Sequence, residues 1–172
     1  MASVLVPTSL AEAKALDAAD PLAAARMAFY LPDDLIYLDG HSLGAATHAA
    51  LAGALDVFDQ INMVDAAKKT RALGDLCLAR CEALGLPSPS PAIGEMRGGH
   101  VSVLQKHGYA MVQALAAAGV IADFRAPDLI RFGFSALYTR YQDVWRAMNE
   151  MERIVNTASW DAPEFKKVNA VT

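Results

Sequence analysis

The sequence predicts an α+β fold, a small antiparallel sheet covered by helices. From residue 100 onward the apolar pattern reads strand, helix, strand, strand, helix. The chain is 54% hydrophobic and 20% charged, a balance that supplies a real core. Its 172 residues suit one domain, or one domain with an arm. The arm is expected over residues 1–47 and the domain over 48–172, the two forming one compact unit.

Each element has a local signal. Ser9 is placed to cap a short helix over residues 10–18, with Glu12 three positions on to complete a capping box. Asp20-Pro21 opens a second helix through Phe29, with proline in its first turn. Residues 31–34 form a turn, and 35–38 a short strand that Asp39-Gly40 closes. Thr47 caps a helix over 48–58. Asp65 caps a longer one over 66–84, where Leu73, Leu76, Cys77 and Leu84 make one apolar stripe and Gly85 is the stop. Cys77 and Cys81 are four apart on one face. They read as reduced core thiols rather than as a disulfide or a metal site.

Residues 86–99, rich in proline, serine and glycine, form an irregular loop. Residues 101–104 alternate as a strand does. A helix over 108–118 ends at Gly119. Residues 120–124 and 129–134 read as strands around an Ala126-Pro127-Asp128 turn. The last helix, 141–157, aligns Val144, Trp145, Met148, Met151 and Val155. The tail from Ser159 is expected to be ordered only in part.

The net charge of -4 gives no reason to expect nucleic acid or an anionic membrane as partner. No apolar run is long enough to span a bilayer. No basic stretch precedes an apolar one with a cleavage site, so a cytoplasmic protein is expected. His100 and His107 flank one strand segment, but four histidines without metal-ligand spacing predict no metal.

Gly40-His41-Ser42-Leu43-Gly44 matches the G-x-S-x-G nucleophile elbow, and a triad with His100 or His107 and Asp128 can be written. That elbow needs a central strand of a large parallel sheet and an oxyanion-hole N–H from an earlier loop. Only one strand candidate precedes Ser42. A serine hydrolase is therefore the third reading.

Two blocks carry a family resemblance. One is Asp20-Pro21-Leu22 followed by Leu31-Pro32-Asp33-Asp34-Leu35-Ile36-Tyr37-Leu38-Asp39-Gly40-His41-Ser42-Leu43-Gly44-Ala45. The other runs through Arg97-Gly98-Gly99-His100-Val101-Ser102, Gly108-Tyr109, Gln113-Ala114-Leu115, Gly119 to Asp128, Arg131-Phe132-Gly133-Phe134, Leu137-Tyr138-Thr139 and Asp143-Val144-Trp145. The first resembles the kynureninase N-terminus. The second is similar to the kynureninase C-terminal small domain almost without gaps.

The resemblance implies the small-domain fold of fold-type I pyridoxal-phosphate enzymes, with a helical arm. In the family, a large domain between the two blocks carries the Schiff-base lysine, the pyridinium aspartate and the phosphate-binding residues. Here no stretch between Ala45 and Asp65 is long enough for it. Lys68 and Lys69 fall on a helix face expected to be solvated and do not match the family lysine. Pyridoxal phosphate works as an electron sink only when a protein positions it, so no cofactor is expected.

Arg131 matches the family arginine that binds the substrate α-carboxylate. A guanidinium offers a carboxylate two parallel hydrogen bonds, and the alternative is a surface ion pair. Ser42 matches a turn at the family active site. His41 departs from the usual asparagine there. Histidine moves protons near neutrality, which makes His41 and Ser42 the candidate catalytic pair; a histidine that merely hydrogen-bonds in a turn is the alternative. The candidate substrate-binding set is Arg131, Ser42, Phe132, Tyr138 and His100, with core packing the alternative for both aromatics. Trp145 reads as core.

The implied function is a pyridoxal-phosphate-independent kynureninase homologue that binds a tryptophan- or kynurenine-like amino acid. A cofactor-free condensation and ring closure of the Pictet–Spengler type, in specialised metabolism, fits such a site. The alternative is a non-catalytic partner, forming a homodimer or pairing with a full-length kynureninase.

Overall fold

The computed structural model describes residues 6–28, 35–38, 53 and 55–167. The sheet is built from β2 (His100–Leu104), β4 (Asp123–Arg125) and β5 (Leu129–Gly133), in the order β2-β5-β4, with both pairings antiparallel. Strand β5 is central and alternates. Ile130 and Phe132 are buried with Val101 and Val103 of β2, while Arg131 points to the opposite face. Period-two geometry makes this all-or-none, because a one-residue slip exchanges the two faces.

A second, two-stranded sheet joins β1 (Ile36–Tyr37) to β3 (Val120–Ile121) in parallel. The single strand expected over 120–124 thus divides at Ala122, β3 pairing with β1 and β4 with β5. Leu38, fully buried, ties the two sheets together. Its N–H donates to Ile121 O at 3.0 Å, and its carbonyl accepts from Gly133 N–H at 2.5 Å.

Helices pack over the inner face and on one another. They are α1 (Leu10–Ala18), α2 (Met63–Ala83), α3 (Gly108–Ala117), α4 (Tyr141–Thr157) and the short α5 (Pro163–Lys166). Leu73 and Leu76 of α2, Met111 and Leu115 of α3, and Val144, Met148, Met151 and Ile154 of α4 meet β2 and β5 in one core. Trp145 and Val155 pack at its margin, Trp145 under the Arg80 guanidinium, 4.5 Å from the ring centre. Cys77 and Cys81 are free and buried. The Cys77 thiol is held well above the usual cysteine range by its hydrogen bond with Cys81 and by burial.

Helix ends follow their local chemistry. The Ser9 hydroxyl accepts from Glu12 N–H at 3.2 Å, but Glu12 reaches back to the Thr8 amide and hydroxyl, not to Ser9. Helix α2 starts three residues before the expected point, because Asn62 Oδ1 caps it by accepting from Val64 N–H at 2.9 Å. Asp65 then lies in the first turn, where a carboxylate suits the helix dipole. At its other end Gly85 has φ +67°. Leu86 N–H donates to Cys81 O, and Gly85 N–H to Glu82 O, a Schellman stop that requires the left-handed residue glycine tolerates.

The 86–99 loop is irregular apart from a 3-10 turn over Gly94–Met96. Buried Arg97 holds it down. Its guanidinium crosses α2 at Gly74, pairs with Asp75, and donates to Pro91 O at 2.7 Å and Ala92 O at 3.0 Å. The same loop covers the outer edge of β2: Ser90 Oγ accepts from Ser102 N–H, and Leu104 N–H donates to Pro87 O. An edge protected in this way does not recruit further strands.

In the tail, Trp160 stacks on His107 at 4.1 Å and Phe165 packs on the core. Two expectations are corrected. The helix opened by Asp20-Pro21 is a 3-10 helix over Ala23–Ala28. Lys69 is not solvated. Its ammonium is buried against the equally buried Asp20 of the arm, whereas Lys68 is 68% exposed and pairs with Asp65.

Charge also seats the rest of the arm. Asp17 accepts from the Tyr141 and Gln142 amides at 2.7 and 3.2 Å, capping α4, and burial pushes its carboxyl up. Arg26 donates to Tyr138 O and lies 3.8 Å from Asp143. The expected helix over 48–58 is described only at residues 53 and 55–58, which are helical. No described helix is long and apolar enough to cross a membrane.

Phe132→Ala is expected to lower the unfolding free energy by about 3–5 kcal/mol, measured by urea denaturation. A loss below about 1 kcal/mol would place the ring outside the core.

Candidate functional site

The outer face of the three-stranded sheet collects the polar residues. Cross-strand register sets them in rows: His100 opposite Gly133, Ser102 opposite Arg131 with Asp123 on the far side, and Leu104 opposite Leu129 with Arg125 beyond. Arg131 is therefore the centre of the face. His100 lies diagonally across from it on the exposed start of β2, and the Leu104–Leu129 pair forms an apolar step on the other side.

The Arg131 guanidinium is held by Asp123. Nε donates to Asp123 Oδ2 at 2.9 Å, and Nη2 donates to the same oxygen. Arg125 Nε also reaches that oxygen at 2.9 Å. Asp123 and Arg131 are each about one-fifth exposed, and Arg125 is 58% exposed. One carboxylate thus sits between two cations on a half-open surface. The arrangement suits anions, and the planar fork of arginine suits carboxylates in particular.

The aromatic candidates lie elsewhere. Phe132 is fully buried and Tyr138 is 4% exposed. Both are core, because β5 alternation turns Phe132 away from Arg131, and Tyr138 lies under the arm beside Leu22 and Arg26. They are not walls of a site on the Arg131 face. Leu104 and Leu129 take that place, together with Ser102 and Asp123, none of which the sequence had singled out. The register that aligns them is long-range and has no local signal.

His41, Ser42 and the whole Gly40–Gly44 motif lie outside the described residues, so the catalytic pair and the hydrolase elbow are not placed. The last described residue before them, Leu38, is bonded to Gly133 at the His100 end of the face. Of the triad partners written on paper, His107 is stacked under Trp160. No group of three metal-ligating side chains occurs among the described residues.

Pyridoxal phosphate does not fit the described residues. The buried lysine, Lys69, is engaged by Asp20, and Lys68 is exposed on Asp65. Lys14, Lys106, Lys166 and Lys167 are exposed too.

The kynureninase C-terminal domain family matches residues 66–151 of this chain. The chain belongs to the kynureninase family. Kynureninase from Burkholderia mallei (strain SAVP1) is 43% identical over 122 residues, which are 69% of this chain and 29% of that protein. Kynureninase from Pseudomonas fluorescens is 39% identical over the same length and shares. The chain therefore spans less than a third of the length of these curated kynureninases. A solved NifS-like protein shares the fold, with a TM-score of 0.56 at 18% identity over 67% of this chain and 35% of that one. Arg131, His100, Ser102 and Asp123 all lie within the matched region.

Proposed function

We propose that this kynureninase-family domain binds an aromatic α-amino acid by its carboxylate at Arg131, without pyridoxal phosphate. The supporting observation is Arg131 itself: a guanidinium at the centre of the outer sheet face, held at a fixed angle by Asp123 and with a second cation, Arg125, on the same face. The Leu104–Leu129 step offers apolar surface for the side chain, which is tryptophan- or kynurenine-like. His100 and Ser102 stand on the other strand for the amino group or ring substituents.

Acid/base work falls to His41, with Ser42 beside it in sequence. A Pictet–Spengler-type reaction condenses the amine with an aldehyde, losing water, and closes the ring by attack of the aromatic carbon on the iminium with loss of its proton. The help it asks of the protein is proton transfer, which a histidine supplies, rather than an electron sink.

Isothermal calorimetry with tryptophan, kynurenine and anthranilate is the test. Kynurenine or tryptophan is expected to bind, and Arg131→Ala to lose about 1.5–3 kcal/mol of that affinity, as for a hydrogen bond to a charged group. No heat for any of the three acids, in wild type as in the variant, would remove this reading.

A second reading, association with another copy or with a full-length kynureninase, is favoured by one observation. Met27, Leu55, Phe58, Met63 and Val64 are large apolar side chains, each more than two-fifths exposed, on the arm and around the start of α2. Light scattering separates the two readings: a monomer at all concentrations, with no shift on adding a kynureninase, contradicts the association.

A further inference from the structure

We infer that the hollow between the first turns of α2 and the Gly98-Gly99 segment is a second anion site, which takes a small carboxylate with an apolar body, benzoate in size and charge. It shares no lining residue with the outer sheet face around Arg131, and it stands whether or not that face binds an amino acid.

Two glycines leave the backbone open here. Glycine is needed where φ is positive, where a side chain would collide, or where a ligand must approach the main chain. The first two do not apply. The described glycines with positive φ are Gly85 and Gly119. A Cβ at Gly98 would meet nothing within 4 Å, and one at Gly99 would make ordinary contacts, 3.5 Å from Phe134 O and 3.6 Å from Thr70 Cγ2. Open approach to the backbone is what remains. Both residues are exposed, and among the described residues no group accepts a hydrogen bond from either amide.

Arg71 supplies the charge. Arg97, just before the glycines, is buried and already committed to Asp75 and to the Arg71, Pro91 and Ala92 carbonyls. It fixes the glycines against α2 and adds no net charge. Arg71 differs. Its stem lies along Gly94, where an added Cβ would sit 3.4–3.6 Å from its Cβ, Cγ and Cδ. Its guanidinium lines the hollow and has no ion pair or hydrogen bond among the described residues. A guanidinium pairs with a carboxylate through two parallel hydrogen bonds. One uncommitted cation matches one negative charge, which favours a carboxylate over a phosphate dianion.

The helix face sets the direction. Met63, Ala66, Ala67, Thr70 and Arg71 follow three-and-four spacing along one face of α2. That face runs from apolar at the Met63 end to cationic at Arg71, so the ligand body lies toward Met63, itself 59% exposed. The hollow measures about 260 Å³, which is below the roughly 300–1,000 Å³ of sites for drug-sized molecules and suits one ring.

The test follows the Gly98 and Gly99 amide resonances of the full chain by NMR, at constant pH and ionic strength, during titration with benzoate, benzamide and acetate. Benzoate is expected to shift both amides saturably. Benzamide, neutral and of the same shape, is expected to leave them in place, and acetate, which lacks the ring, to bind about tenfold more weakly. Arg71→Gln is expected to weaken benzoate about tenfold or more, and Gly98→Val to abolish the Gly99 response. Arg131→Ala is expected to titrate like wild type, which separates this site from the one proposed on the outer face. The inference is overturned if benzoate gives no saturable shift, if benzamide shifts the amides as far, or if acetate binds as tightly. It is overturned equally if Arg71→Gln titrates like wild type, or if a folded Gly98→Val keeps the Gly99 response. A response lost in Arg131→Ala would assign the binding to the outer face instead. Arg71 is only partly buried, so Arg71→Gln decides the matter if Gly98→Val disturbs the loop.

Discussion

The alternation of the central strand governs both the core and the candidate site. Ile130 and Phe132 turn inward with Val101 and Val103, and the same backbone turns Arg131 outward between Ser102 and Asp123. Neither half can change alone. A register slip that moved Arg131 would drive a guanidinium into an apolar core and expose Phe132, so the burial that stabilises the sheet also aims the arginine. The loop over the edge of β2 and the Leu38 bridge between the sheets both act to hold that register.

The arm is attached by different physics. Among its described residues only Pro7, Ala13, Leu22 and Leu38 are buried; Leu38 joins the main core, whereas Leu22 belongs to a small cluster apart from it. Ahead of Leu38 its hold comes from Asp17 at the head of α4, Asp20 on Lys69 and Arg26 near Asp143. Buried ion pairs of this kind contribute little net stability over apolar packing, but removing one partner strands the other. They specify where the arm sits.

Much of this was legible in the sequence. The helix over 141–157 and the Gly85 and Gly119 stops follow from periodicity and from backbone conformations that favour glycine. The strand–helix–strand–strand–helix order gave the fold class. What escaped depends on contacts distant in sequence. Lys69 looked solvated because its partner, Asp20, lies 49 positions away. The parallel pairing of β1 with β3 has no local signal and splits a strand that reads as continuous. Asn62 was overlooked as a cap because Asp65, three residues on, carries the same local signal.

The candidate site was legible in part. Arg131 was picked out by its resemblance to a family position, and it lies on the outer sheet face, about one-fifth exposed. Phe132 and Tyr138 read as candidate aromatic walls with core packing as the alternative, and strand alternation and the arm bury them. Asp123, eight residues earlier, becomes a neighbour only through the β4–β5 hairpin. The most direct measurement is a crystal structure of the chain soaked with kynurenine. The account predicts the ligand carboxylate within hydrogen-bond distance of the Arg131 guanidinium. Kynurenine bound away from the outer sheet face would contradict it.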